Sequence, residues 1–212
     1  APITEAIIQM RGRVIRPWEE NPTIEALKSE LPNYPHCESQ RAVQQEINLV
    51  PKGVAGPVVD LGWTGAIFRN EPKLNVATFH RDAFTFSRQA PYEDWDQFNT
   101  EALRLYQIHH NLGELSQVQR IGLRFVNQFD VPTDTFALGD FFSEPIPVAQ
   151  TTLPLTRAHF FHQDTYSLAN SPYLATVTRT LQPEIAPSVG PKLILDIDVF
   201  TNAPPPADPS EI

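Results

Sequence analysis

In the stretch "RIGLRFVNQF", residues 120 to 129, side chains change character at every second position, and that period belongs to a β-strand rather than a helix. Ile121, Leu123, Phe125 and Phe129 share one face, and Arg120, Gly122, Arg124 and Val126 share the other. The odd-numbered face reads as core. Asn127 falls on it near the strand's end, where a buried amide needs hydrogen-bond partners. Residues 193 to 199 carry a complementary pattern, with Leu193, Leu195, Ile197 and Val199 on one face and Asp196 and Asp198 on the other. A chain with several such segments must build a sheet.

Residues 3 to 16 mix apolar and polar positions and read as a long first strand with an irregularity near Gly12. A short helix is expected over 22 to 31, with Asn21 as N-cap, Pro22 at the first helical position and Ile24, Leu27 and Leu31 at helical spacing. Residues 42 to 50, 63 to 69, 74 to 80 and 83 to 88 read as strands of an antiparallel meander, with "NEPK" as one turn and Arg81 and Asp82 as another. Residues 91 to 112 predict a second helix, with Pro91 in its first turn and Gly113 as its stop. Its stripe of Trp95, Phe98, Ala102, Leu105, Ile108 and Leu112 lies toward the sheet, with Trp95 a packing anchor. His109 and His110 sit at its end, where the negative pole of the helix dipole favours cations; as adjacent residues they lack the spacing of a metal pair. A strand at 117 to 129, a short helix near 135 to 143 and strands around 153 to 164, 173 to 181 and 192 to 200 follow.

This order predicts an α+β fold of two successive strand, helix and antiparallel-meander units, a pseudo-duplication with helices packed on antiparallel sheet. Residues 1–115 form the first half and 116–202 the second, fused as one globular unit, and the proline-rich stretch 203–212 reads as a disordered tail. At 212 residues the chain buries a core without metal or disulfide staples. The single cysteine, Cys37, has no internal partner, which fits a reducing compartment; beside His36 it is a free thiol with no other part of a catalytic site placed near it. No window is long and apolar enough to span a membrane, and "APITEAIIQM" lacks the basic and cleavage regions of a signal peptide, so a cytoplasmic protein is expected. A net charge of -9 repels nucleic acid and anionic membranes. Twelve of the sixteen basic residues are arginines, which suit bidentate contacts to carboxylate or phosphate.

The strings "ITEAIIQMR", "PYEDWDQF", "RIGLRFVNQF" and "LILDIDVF" occur in this order along nearly the whole chain. They resemble a sporadically distributed bacterial family of uncharacterised proteins marked by I-x-E-A, Y-x-x-W-x-x-F, R-[IL]-G-L-R-[YF]-[VI]-N and L-D-I-D-x-F. The resemblance implies no established activity. It does imply an amphipathic helix after the last motif, where this chain has its proline-rich tail; without that helix an apolar sheet face would be left for a partner chain to cover.

If the strands bearing Arg120 and Arg124 and those bearing Asp196 and Asp198 share a sheet, opposite charges face each other, each pair worth about 0.2 to 1 kcal/mol. Three roles are open for this set: a structural ion-pair group, an anion-recognising arginine fork positioned by the aspartates, and a divalent-cation site. Asn127 joins them as a candidate ligand-binding residue. His159 and His162, three apart in a strand, point to opposite faces and read as structural, and Glu5 is expected to pair with an arginine of another strand. No phosphate loop, nucleophile elbow, H-E-x-x-H or CxxC pattern occurs, so no cofactor or metal is expected and a catalytic set is not apparent.

Three functions follow in order of support. The first is a non-enzymatic binding protein whose sheet face receives a protein partner or a second copy. The second is an enzyme or sensor recognising an anionic small molecule through Arg120 and Arg124. Nucleic-acid binding comes last, because a distant architectural analogy with the TATA-binding fold does not offset the acidic charge.

Overall fold

Alternation along the first strand, β1 (Ile3–Val14), separates the two faces of the protein: Ala6, Ile8 and Met10 are buried, while Glu5, Ile7 and Gln9 are only half-buried. The structure, a computed structural model, describes residues 2–47, 55–131, 139, 141–142, 159–182 and 190–202. In chain order β1 is followed by α1 (Glu20–Glu30), β2 (His36–Ile47), β3 (Ala55–Arg69), β4 (Asn75–His80), β5 (Ala83–Gln89) and α2 (Trp95–Gly113). Then come β6 (Leu115–Asp130), β7 (Phe160–Ser167), β8 (Tyr173–Gln182) and β9 (Lys192–Thr201). All nine strands join one antiparallel sheet in the order β2-β3-β4-β5-β1-β6-β9-β8-β7. Consequently β1 and β6 lie side by side at its centre. The irregularity expected near Gly12 is a register shift between Arg11 and Arg13.

The α+β architecture expected from the sequence, two strand-helix-meander units with helices packed on sheet, is not what forms. Among the described residues the fold is dominated by the single nine-stranded sheet, and its two helices both pack on the first half, α2 against β5 and α1 against β3 and α2. Strands β2 and β3 are longer than the expected 42–50 and 63–69, and their pairing, the longest in the sheet, runs along its edge. Val43, Val58 and Leu61 are about 60% exposed there, so that ribbon is held by backbone ladder bonds and lacks the one-sided burial that makes a strand legible. Most of the expected helix near 135–143 and the start of the 153–164 strand lie outside the described residues, as does the tail 203–212.

The helices begin and end differently from expectation. Glu19 precedes α1 as its cap residue with no side-chain capping bond, and Asn21 and Pro22 sit inside the first turn. Proline is tolerated there because the first backbone N–H groups of a helix have no intrahelical partner. For α2 the cap is Asp94, whose carboxylate accepts from the Gln97 backbone N–H at 2.8 Å; Pro91 lies before the helix. Gly113 ends α2 for a packing reason, since a Cβ there would stand 2.0 Å from Val14 Cγ1 and 2.9 Å from the Trp18 ring. The left-handed residue is Glu114, at φ 51°.

Beneath the helices Phe68, Phe79, Phe84 and Phe86 are fully buried, each worth roughly 1.5 to 3 kcal/mol of apolar burial. Phe98 of α2 stacks on Phe86 at 5.3 Å between ring centroids, and Trp18 stacks on Trp63 at 5.9 Å. Trp95 is not the anchor expected: it is 41% exposed and only leans on Phe98. No described helix is long and apolar enough to cross a membrane.

Candidate functional site

The described helices pack on one face of the first half and leave uncovered the face bearing Ile7, Gln9, Thr85 and Arg120, all half-buried, and the exposed Arg124. Antiparallel register places Gln9 opposite Gly122, Ile7 opposite Arg124 and Arg11 opposite Arg120, while across β6 and β9 Arg124 faces Asp198 and Val126 faces Asp196. The ion pairs then form on the diagonal. Arg124 grips Asp196 with both ends of its fork, Nε to Oδ1 at 2.7 Å and Nη2 to Oδ2 at 2.5 Å. Arg120 reaches further along β9, donating Nη2 to Asp198 Oδ2 at 2.6 Å and Nη1 to Gln9 Oε1 at 3.2 Å.

Two residues without charge make that reach possible. Gly122 leaves a flat spot beneath Arg120, whose Nη1 lies where a Cβ would approach to 2.6 Å. Phe200, directly opposite Gly122, presents its ring 4.5 Å from the guanidinium carbon, a cation–π contact that holds the group against the sheet. The Asp196 carboxylate bound to Arg124 raises that guanidinium's already high pKa further, so it stays charged throughout the physiological range.

Gln9 links this group to its neighbours. Its carbonyl oxygen accepts from Arg120 Nη1 and from Arg11 Nε at 2.9 Å, and its amide donates to the Thr85 hydroxyl at 3.2 Å. Arg11, itself exposed, forms no ion pair among the described residues. Together Ile7, Gln9, Arg11, Thr85, Arg120, Gly122, Arg124 and Asp198 line a shallow depression of about 380 Å³. Among the described residues two carboxylates pair with two guanidiniums, and Arg11, on the rim, has no ion-pair partner.

Of the five residues singled out in the sequence, four meet here and one does not. Arg120, Arg124, Asp196 and Asp198 form the network, whereas Asn127 lies on the opposite face, donating its amide to the Leu195 carbonyl at 3.1 Å. Glu5 accepts from Ser87 and from Gln89 Nε2 at 3.0 Å, and no arginine among the described residues bonds to it. Asp196 and Asp198 serve as arginine acceptors, and no group of three or more His, Cys, Asp or Glu side chains suited to a metal ion occurs among the described residues. His162 Nδ1 lies 3.0 Å from Arg179 Nη2, which also donates to Asp164 at 2.6 Å. Cys37 is half-buried, and burial pushes its thiol pKa up, away from the reactive thiolate.

Gln9 and Arg11 escaped sequence reading because they belong to the first strand and gain meaning only beside β6. His109 does not sit at an exposed helix end as its position suggests. It is fully buried, with Trp18, Phe79 and Phe84 around its ring and Nε2 donating to the His80 carbonyl at 2.9 Å. Burial pushes its pKa down to about 4, so it is neutral and contributes no cation to the helix dipole. Helical spacing offered a signal, since position 109 lies four residues after buried Leu105 and seven after buried Ala102. No family model matches the chain, and no curated protein matches it.

Proposed function

We propose that this is a non-enzymatic binding protein whose open sheet face, centred on β1 and β6, receives a protein partner or a second copy of the chain. One observation carries the reading: the face is uncovered by either described helix, yet its side chains are already fixed to one another through Gln9, Arg120, Arg124, Asp196 and Asp198. A surface held this way gives up little conformational entropy on binding. The lining of the depression supports binding over catalysis, because it contains no cysteine or histidine and its one hydroxyl, Thr85, meets an amide instead of a general base. The four sequence motifs support membership in the bacterial family they resemble, and the free Cys37 supports a cytoplasmic setting.

A photo-crosslinking residue placed at position 7 or 85 on the open face is compared with one at position 95, at the exposed start of α2. The expected result is that adducts, whether with a second copy or another protein, form from 7 and 85 and not from 95. Adducts from 95 alone, or from none of the three, would overturn the reading.

A further inference from the structure

We infer that the depression between β5, β1 and β6 is an oxyanion site that takes a phosphate monoester, with Arg11 as its principal donor. The inference rests on the open-face reading and specifies what the partner presents there. Arg120 and Arg124 spend donors on Asp198 and Asp196, which position them; Arg11 spends only Nε, on Gln9. Among the described residues Nη1 and Nη2 of Arg11, and Nη1 of Arg124, have no protein acceptor. These donors border the same depression from adjacent strands, β1 and β6, with the Thr85 hydroxyl on the third side.

The geometry favours phosphate over carboxylate. A planar carboxylate is satisfied by one guanidinium fork, as Asp196 is by Arg124, whereas a phosphate monoester has three acceptor oxygens directed to different sides and carries close to two negative charges. A volume of about 380 Å³ accommodates the phosphate and a small organic group attached to it. Arg11 is also the residue whose removal leaves no carboxylate stranded, since its bond is to a neutral amide.

The test uses the full chain with phenyl phosphate as probe, a phosphoserine peptide as a second arm and acetate at equal ionic strength as control. Calorimetric titration and the thermal midpoint are read for wild type, Arg11→Ala and Arg11→Lys. Phenyl phosphate is expected to bind and to raise the wild-type midpoint, with affinity at least tenfold weaker in Arg11→Ala and intermediate in Arg11→Lys, which keeps charge without the fork. The midpoint of Arg11→Ala without ligand should match wild type, which separates lost binding from lost folding. Tighter binding of the peptide than of phenyl phosphate would assign the phosphate to a modified protein; the reverse would assign it to a free metabolite. No binding of either probe, equal binding of acetate, or undiminished affinity in Arg11→Ala overturns the inference. If these probes fail while crosslinks from positions 7 and 85 persist, the open face binds something other than phosphate; if both fail, the open-face reading falls as well.

Discussion

Acidifying a solution of this protein from pH 7.5 to pH 5.5 should weaken its fold through one buried imidazole. Neutral His109 donates from Nε2 to the His80 carbonyl, and its Nδ1 is buried without a hydrogen-bond partner. Protonation would place a second N–H at Nδ1, among the rings of Trp18, Phe79 and Phe84, with nothing to receive it. Burial therefore depresses the pKa from 6.5 in the unfolded chain to about 4 in the folded one. Between those values the unfolded chain binds more protons, so the contribution is fully present above pH 6.5 and is lost as pH falls toward 4. Two-state linkage with these values gives a loss of about 1.3 kcal/mol between pH 7.5 and 5.5. His80, whose pKa burial also lowers, adds a loss of the same sign. Replacing His109 with glutamine keeps a donor near the position of Nε2 and removes the titration. Urea denaturation of both proteins at the two pH values isolates the effect as a difference of differences, and pH 5.5 stays above the range of Asp60 and Glu101, whose pKa values are lowered. The variant should lose about 1.3 kcal/mol less than wild type on acidification, whatever its offset at neutral pH. Equal losses in the two proteins would refute the buried, neutral assignment.

Three further substitutions probe the packing argument. Gly113→Ala should destabilise by about 1 to 3 kcal/mol in denaturant titration, because the added Cβ meets Val14 and Trp18 and this overpacking outweighs alanine's better helix propensity; a stabilised variant would show that the contact relaxes freely. Asp94→Ala removes the cap bond to the Gln97 N–H and should cost about 1 kcal/mol, restored in part by Asp94→Ser. Gly122→Ala should displace the Arg120 guanidinium from Phe200 and Asp198, reducing stability by about 1 kcal/mol or less while weakening any oxyanion bound by the arginines; calorimetry with phenyl phosphate alongside denaturation reads both effects.

Alternation with period two is local, so the sequence alone determined that Arg120 and Arg124 share one face of a strand, that Asp196 and Asp198 share one face of another, and that Asn127 lies on the apolar side. The stripe Phe98, Ala102, Leu105 and Ile108 likewise marked the buried side of α2, because helical spacing repeats within a few residues. The tertiary structure decided strand order, which depends on pairings across more than a hundred residues and has no local signature. Setting β1 between β5 and β6 brought Gln9 and Arg11 to the arginines, turned a set of possible ion pairs into a bonded network, and left the Arg11 guanidinium without an ion pair among the described residues. Long-range packing also decided that His109 is core rather than cap, since its neutrality comes from aromatic rings and a carbonyl contributed by distant segments of the chain. The dominance of sheet over helix was hidden for the same reason: edge strands such as β2 are held by backbone hydrogen bonds to a neighbour, and those bonds leave no pattern in side-chain polarity.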